Sequence, residues 1–434
     1  MVLRTVKQLT LPLLIVMIFS TVTAQQGPYK STPYLTWNPK MNILAMGDEN
    51  DILSIVDGTT GQVLNTFVTT QFPDTTINPA WSQDGGKIAF SNGYDVEVWE
   101  NPWDQAKAKQ VSRYQYYYDL TPPEPLSATP RENTWKADGL QIATVIGELI
   151  DVWDVSTGNR LYRFSGKQRS TSALAWGSGG ELISGGNLGR VILWNLETGT
   201  PKKVLSVYES NSFPDPQVLA LSLRPGTDEI AAGAYDNTIR IWDTSQEITL
   251  VDSYEYSPST LRDISLTDNL QVPVISVAWS PDGRYIASGE QQGKVRIYDV
   301  STGALEDTVE VAPNAQIFSV TWSPYGAQLA FGGVVGETPA LPRNMPVRSI
   351  ANGTVHIVVP YASLEQLQTI SGQCLTDAPA PLSENNFLKM ESVSKLTLSD
   401  LPGFVTQIKT LPVDAIPPAC AADLIAVAEA LIAS

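Results

Sequence analysis

The sequence predicts an all-β fold: seven four-stranded antiparallel units set in a ring, followed by a small α-helical C-terminal region. Three observations predict it. An anchor residue, Trp in six units and Leu in one, recurs at positions 37, 81, 135, 176, 223, 279 and 322, with spacings of 44, 54, 41, 47, 56 and 43 residues. Each anchor is followed seven residues later by Ile or Leu, where a second strand begins. A β-branched third run comes next in every unit, most of them ending in Asp, Glu or Asn and leading into a Gly-containing turn. A period of about 40–45 residues with four strands per period marks a radial repeat. Such a unit exposes two apolar faces and becomes stable only when neighbours cover both.

Taken in order, Met1–Ala24 has the pattern of a cleaved secretory signal. Arg4 and Lys7 give a basic start, Leu9–Ser20 a mostly apolar run, and Val22-Thr23-Ala24 a small-residue site before Gln25. The run is shorter than the ~20 apolar residues of a spanning helix, so no stable membrane span is expected after removal. Gln25–Pro33 is a short leader. The unit Val274–Val311 shows the repeat most plainly: Val274–Trp279, the turn Ser280-Pro281-Asp282-Gly283, Tyr285–Ser288, a polar loop to Gly293, Val295–Tyr298, the turn Asp299–Gly303, and Ala304–Val311. Pro, Asp, Ser and Gly at those offsets are turn chemistry. The third strands read Ile52–Asp57, Val96–Glu100, Ile150–Asp154, Val191–Asn195, Thr238–Asp243, Val295–Asp299 and Val355–Pro360.

These units resemble WD40 repeats. Trp153-Asp154 and Trp242-Asp243 carry the resemblance, with Trp99-Glu100, Trp194-Asn195 and Tyr298-Asp299 as variants and the Ser280–Gly283 turn in support. The resemblance covers roughly Tyr34–Ile370 and implies a seven-bladed β-propeller. The family's Gly-His dipeptide is absent and the chain has one His, so the His–Asp–Ser–Trp network that often ties such blades cannot form. Ten of the eleven tryptophans fall at first-strand anchors or third-strand ends, where they serve inter-blade packing.

The expected domains are a signal at 1–24, a leader at 25–33, the propeller at 34–371, a Pro/Ala-rich linker at 372–385 and a helical region at 386–434. The seventh blade is expected to take its fourth strand near Leu367–Ile370, and the ring to close by packing of blade seven on blade one. Helices are expected at Asn386–Leu396, Leu401–Leu411 and Ala419–Ala433; in the last, Leu424, Val427, Ala428 and Leu431 share one face. Cys374 and Cys420 are the only cysteines, and in an exported chain they are expected to pair. That bridge would close a loop worth ~4 kcal/mol in the chain-entropy model.

The search for chemistry returns little. There is no Gly-x-Ser-x-Gly elbow, phosphate loop, dinucleotide fingerprint or Cys/His metal spacing, so no catalytic residue, metal or cofactor is assigned. His356 alternates with apolar neighbours on a third strand and is read as structural. Asp48, Glu49 and Asp51 are read as a solvated loop rim, with a Ca²⁺ site as the open alternative. The formal charge is -17, and -19 once Arg4 and Lys7 leave with the signal, which disfavours nucleic acid.

In a four-strand meander the 1–2 and 3–4 turns share one face of the ring, and the 2–3 and inter-blade loops share the other. The long connections Val111–Arg131, Ser206–Gln217, Asp252–Pro273 and Gly333–Gly353 all fall on the second face. Tyr114, Tyr116, Tyr117, Tyr118, Tyr208, Tyr254 and Tyr256 lie in them and are the candidate partner-binding residues, since Tyr gives contact area at low entropic cost. The expected function is a secreted or extracytoplasmic, non-enzymatic scaffold for a protein or peptide partner, with a glycan as an alternative partner. The alternatives are a propeller enzyme of lactonase, lyase or quinoprotein type using the central opening, and a structural cell-surface protein.

Overall fold

The structure is a computed structural model, which describes residues 34–48, 52–69, 77–93, 95–115, 130–146, 148–165, 170–206, 217–245, 262–265, 272–311, 315–334, 347–350, 355–360, 362–377, 396–411 and 416–433. Seven four-stranded sheets follow one another along the chain. Blade 1 is built from Tyr34–Trp37, Ile43–Gly47, Ile52–Asp57 and Val63–Val68. Blades 2 to 6 occupy Ala80–Gln115, Pro130–Ser165, Thr171–Ser206, Val218–Ser265 and Val274–Glu310. Each of these six is a plain antiparallel meander. The first strand of every blade lies beside the first strand of both neighbours, including blade 7 against blade 1, so the first strands form a closed inner ring.

Strand position explains strand composition. Second strands such as Ile43–Gly47 and Leu182–Gly186 are buried at every residue, because a neighbouring blade covers each face. Fourth strands form the rim, and Leu305–Glu310 is buried only at Val309 while Glu306 and Glu310 stand exposed. Most 3–4 turns are Asx turns: Asp299 Oδ1 accepts the Ser301 and Thr302 amides at 2.8 and 3.1 Å, and Gly303 follows at φ 71°. Asp57 does the same for Thr59 and Thr60, ahead of Gly61. The recurrent Asp-x-x-x-Gly spelling is therefore a local instruction, satisfied by bonds within the turn itself.

The tryptophans pack between blades as expected, and they also bond them. Trp81 Nε1 donates to Thr36 O at 3.3 Å, Trp135 to Ala80 O at 2.9 Å and Trp176 to Thr134 O at 3.2 Å. Trp279 donates to Ser222 O at 3.1 Å and Trp322 to Ala278 O at 3.2 Å. In each case the anchor indole reaches the first strand of the preceding blade. Among the described residues two steps lack this bond: blade 4 to blade 5, whose anchor is Leu223, and the closing step from blade 7 to blade 1, where Trp37 Nε1 is buried without a partner. Blade 4 also keeps a Ser–Trp pair inside the sheet, Trp194 Nε1 to Ser184 Oγ at 2.9 Å.

Blade 7 departs from the expected order. Its strands run Gln316–Trp322, Leu329–Val334, Val355–Val358 and Val347–Ile350 from the centre outwards. The outer strand comes from within the Gly333–Gly353 insertion and precedes the third strand in sequence, Ile350 pairing with Val355 and Val347 with Val358. Leu367–Ile370 is not a strand: it lies in the helix Leu364–Thr376, which starts on Ser363 and runs through the expected boundary at 371/372. Among the described residues the ring closes by packing. Leu35, Trp37 and Met46 of blade 1 share a buried cluster with Ala330, Val355 and Ile357 of blade 7. Ser319 Oγ joins the two first strands, accepting from Leu35 N at 3.3 Å and donating to Leu35 O at 2.9 Å.

The tail contains helices Leu364–Thr376, Leu401–Lys409 and Pro418–Ala433. The expected helix at Asn386–Leu396 lies outside the described residues except for Leu396. Leu367, Phe404, Leu424 and Val427 form one core with Ala327 of blade 7. Cys374 and Cys420 are disulfide-bonded, with Cα atoms 5.7 Å apart and both residues buried.

Candidate binding face

The two faces of the ring differ in chemistry. On the loop face, ion pairs, two of them buried, link the ends of the second, third and fourth strands. Arg296 Nη1 lies 2.9 Å from Glu290 Oε1, with side chains only 6% and 1% exposed. In blade 3, Arg163 meets Asp151 in a two-pronged contact, Nε to Oδ1 at 2.8 Å and Nη2 to Oδ2 at 2.6 Å. Arg113 bonds Asp95 at 2.6 Å in blade 2, and Arg240 bonds Asp236 at 3.0 Å in blade 5. Burial pushes the Asp95 carboxyl upward, while Arg113 pulls it back. Glu97, Asp151, Arg240 and Arg296 occupy one register position, the third residue of the third strand. His356 takes the equivalent place in blade 7, buried and 5.4 Å from the Phe331 ring. Its role is packing within the blade, in line with its alternation in the sequence. Arg296–Glu290 and Arg163–Asp151 are buried enough that removing one partner typically costs ~3–5 kcal/mol, the penalty of leaving the other charge unpaired, whereas Arg113 and Asp236 are partly exposed and their pairs are worth less.

At the inner edge of the same face, Glu132 begins the alternation along its first strand, partly exposed beside buried Asn133. Its Oε2 accepts from Asn78 Nδ2 at 2.6 Å, and Asn133 Nδ2 donates to Asn78 O and Ser91 Oγ, both at 3.0 Å. Enclosure by protein raises the Glu132 carboxyl to about 8, with the Asn78 bond opposing. In blade 5, Tyr235 stands 52% exposed in the second-to-third strand turn Tyr235-Asp236-Asn237, where Asn237 takes φ 66°. It is the one aromatic among the exposed large apolar side chains of the described residues.

Of the candidate tyrosines, Tyr114 is corrected. It belongs to the fourth strand Lys109–Gln115 rather than to a loop, and it is fully buried. Strand alternation turns it toward blade 3, where its ring stacks on Trp153 with centroids 4.9 Å apart and 14° between planes. Its hydroxyl donates to Asp154 O at 3.5 Å, and burial pushes the phenol far up. Tyr116, Tyr117, Tyr118, Tyr208, Tyr254 and Tyr256 lie outside the described residues. Sequence reasoning passed over Tyr235, although its Asp-Asn turn between two apolar runs was a usable signal.

The turn face carries more than tight turns, because the tail lies on it at blades 6 and 7. A groove of about 150 Å³ runs between the blade 6 turn, the blade 7 turn and the helix Leu364–Thr376, lined by Asp282, Arg284, Tyr285, Tyr325, Glu365 and Gln366 among others. Among the described residues no three His, Cys, Asp or Glu side chains come together to hold a metal ion. Asp48, from the acidic loop considered for Ca²⁺, is buried and uses Oδ1 to accept Ile52 N at 2.9 Å; Glu49 and Asp51 lie outside the described residues. No helix of the described residues is long and apolar enough to cross a membrane.

A closed ring of seven four-stranded blades defines a seven-bladed β-propeller. Comparison with known families finds two matches, both between blade 4 and the start of blade 7. The WD domain, G-beta repeat family matches residues 202–243, from the outer strand of blade 4 to the third strand of blade 5. The family described as anaphase-promoting complex subunit 4 WD40 domain matches residues 262–325, from the outer strand of blade 5 to the first turn of blade 7. The fold and these partial matches make the chain similar to WD40-repeat β-propellers. Relatives include Protein tipD of Dictyostelium discoideum, 29% identical over 181 residues, 40% of this chain and 27% of that protein. WD repeat-containing protein 1 of Mus musculus is 30% identical over 133 residues, 31% of this chain and 19% of that protein. WD repeat-containing protein slp1 of Schizosaccharomyces pombe is 24% identical over 199 residues, 45% of this chain and 36% of that protein. The matched region thus spans well under half of each of these relatives.

Proposed function

We propose that the chain is an exported scaffold that holds a protein or peptide partner on its loop face. The observation that carries this reading is the contrast between faces: the loop face combines rigid, ion-paired strand ends with the exposed ring of Tyr235 and the longest connections. Exposed Tyr on a rigid base is the composition of a binding surface. The acidic residues of those connections, Asp119, Glu209, Asp215, Asp252 and Glu255, favour a basic or neutral, hydroxyl-rich partner over an anionic one. Export is supported by the N-terminal pattern of Met1–Ala24 and by a buried cystine, a pairing typical of oxidising compartments. Two measurements test the reading. N-terminal sequencing of the mature protein should begin at Gln25; a chain retaining Met1 inside the cell contradicts export. Changing Tyr116, Tyr117 and Tyr118 to Ala, with and without Tyr235→Ala, should weaken a partner captured from the extracellular fraction by more than about 1 kcal/mol, the level of an interface anchor. Unchanged binding, together with loss of binding on altering the Asp57–Gly61 or Asp299–Gly303 turns, would assign the site to the other face.

A further inference from the structure

The first turns of blades 2 and 6 share one hydrogen-bond pattern. In blade 2, Ser82 Oγ donates to Asp84 Oδ1 at 2.6 Å, Gly86 N donates to the same oxygen at 2.9 Å, and Lys87 N donates to Ser82 Oγ at 2.9 Å. In blade 6 the corresponding bonds run from Ser280 Oγ and Arg284 N to Asp282 Oδ1 at 2.5 and 3.0 Å, and from Tyr285 N to Ser280 Oγ at 2.9 Å. An aspartate two residues after the serine is thus the acceptor that closes the turn. Blade 3 uses Asp138 in the same position, with Leu140 N donating to it at 2.9 Å.

Blade 7 spells this turn Ser323-Pro324-Tyr325-Gly326, with Tyr where the aspartate belongs. The rest of the pattern is intact, since Gln328 N donates to Ser323 Oγ at 2.9 Å. The missing carboxylate comes from the tail. Asp423, on the helix Pro418–Ala433, accepts from Ser323 Oγ at 2.7 Å and from Tyr325 N at 3.1 Å. Its other oxygen accepts from Gln328 Nε2 at 2.8 Å, and the Ala327 backbone N–H also bonds it. Ser323 and Ala327 stand where Ser82 and Gly86, or Ser280 and Arg284, stand in the other blades. Asp423 is fully buried, and its partners are all neutral donors.

We propose that the first turn of blade 7 is a carboxylate-binding site whose ligand is Asp423, so that the tail completes the last blade in cis. The assignment is independent of where an external partner binds. It gives the tail an intramolecular role at the blade that closes the ring. Because that closure rests on packing, an element that fixes blade 7 serves the whole ring. The Cys374–Cys420 bridge and the core around Leu424 and Ala327 hold the carboxylate in reach.

Hydrogen exchange on the full-length protein tests the proposal. Asp423→Ala should accelerate exchange of the Tyr325 and Ala327 amides at least tenfold while blades 2 to 4 keep wild-type protection. Adding Tyr325→Asp to that variant restores the turn's own carboxylate and should return the turn to near wild-type protection without Asp423. Tyr325→Phe, which removes only the phenol's bond to Asp377 at 3.1 Å, should leave the turn unchanged. Unaltered turn exchange in Asp423→Ala, or a double variant as unprotected as the single one, overturns the proposal. If Asp423→Ala does not fold, folding of the double variant supports the assignment and its failure to fold overturns it.

Discussion

Trp135 offers the sharpest test of how the blades are joined. The indole is nearly buried between blades 2 and 3 and donates to Ala80 O at 2.9 Å. Blade 5 shows that Leu can fill the same position, as Leu223, without an indole bond. Trp135→Phe removes the N–H and keeps most of the ring, so it should cost about 1 kcal/mol for the lost hydrogen bond plus a small packing deficit, roughly 1–2 kcal/mol in all. Trp135→Leu also removes on the order of 60 Å³ of side chain, which at about 24 cal/mol per Å³ adds roughly 1.5 kcal/mol, for a total of about 2–3 kcal/mol. Urea unfolding followed by far-UV circular dichroism reads both variants on one scale, and calorimetry should show Tm falling in the same order. If both variants lie within about 0.5 kcal/mol of wild type, the indole ring is decoration and the blades are held by other contacts.

Three further outcomes follow from the structure. Free-thiol titration of unreduced, denatured protein should find no reactive thiol, and Cys374→Ser/Cys420→Ser should lower stability by up to ~4 kcal/mol; two free thiols in the native protein would contradict the bridge. Burial raises the Asp423 carboxyl from 3.8 to about 6, opposed by its bonds to Gln328 and Ser323. The folded state therefore takes up this proton before the unfolded state does, and folding gains from Asp423 as pH falls from above 6 to below 4. The stability of wild type relative to Asp423→Asn should improve by roughly 2–3 kcal/mol across that window, and a gap independent of pH would refute the environment assigned to it. Asp299 behaves oppositely: the bond from Ser301 leads the set that holds its carboxyl near 2, so its contribution is full above about 4 and lost as pH falls through 2. The difference between wild type and Asp299→Asn should shrink on acidification, and one that grows would show the sign is wrong.

Most of the fold could be read from the chain because its instructions are local. The Trp or Leu anchor, the apolar residue seven places on and the Asp-x-x-x-Gly turn each act within one blade, and repetition supplied the count. Blade 7 escaped because its outer strand precedes its third strand, a pairing no local pattern encodes. The helix Leu364–Thr376 was mistaken for a strand although Ser363-x-x-Gln366 spells an N-terminal cap; Ser363 Oγ accepts Gln366 N at 3.0 Å. Tyr114 was placed in a loop because the end of a fourth strand is marked by no turn residue, so one more alternation went unseen. Asp423 could not be found from the sequence, since its partner Ser323 lies 100 residues away and only the comparison of three turns exposes the gap it fills. Tyr235 was legible in principle and was overshadowed by the richer tyrosine run at 114–118.

The most direct test of the central claim is site-specific photo-cross-linking of the full-length protein in the extracellular fraction. A photoreactive phenylalanine analogue at Tyr235 probes the loop face, and the same group at Thr59 and at Thr157 probes the turn face. Position 235 should give one discrete cross-linked protein species, competed by excess unmodified protein, and positions 59 and 157 none. The same species from positions 59 and 157, with none from 235, would contradict it.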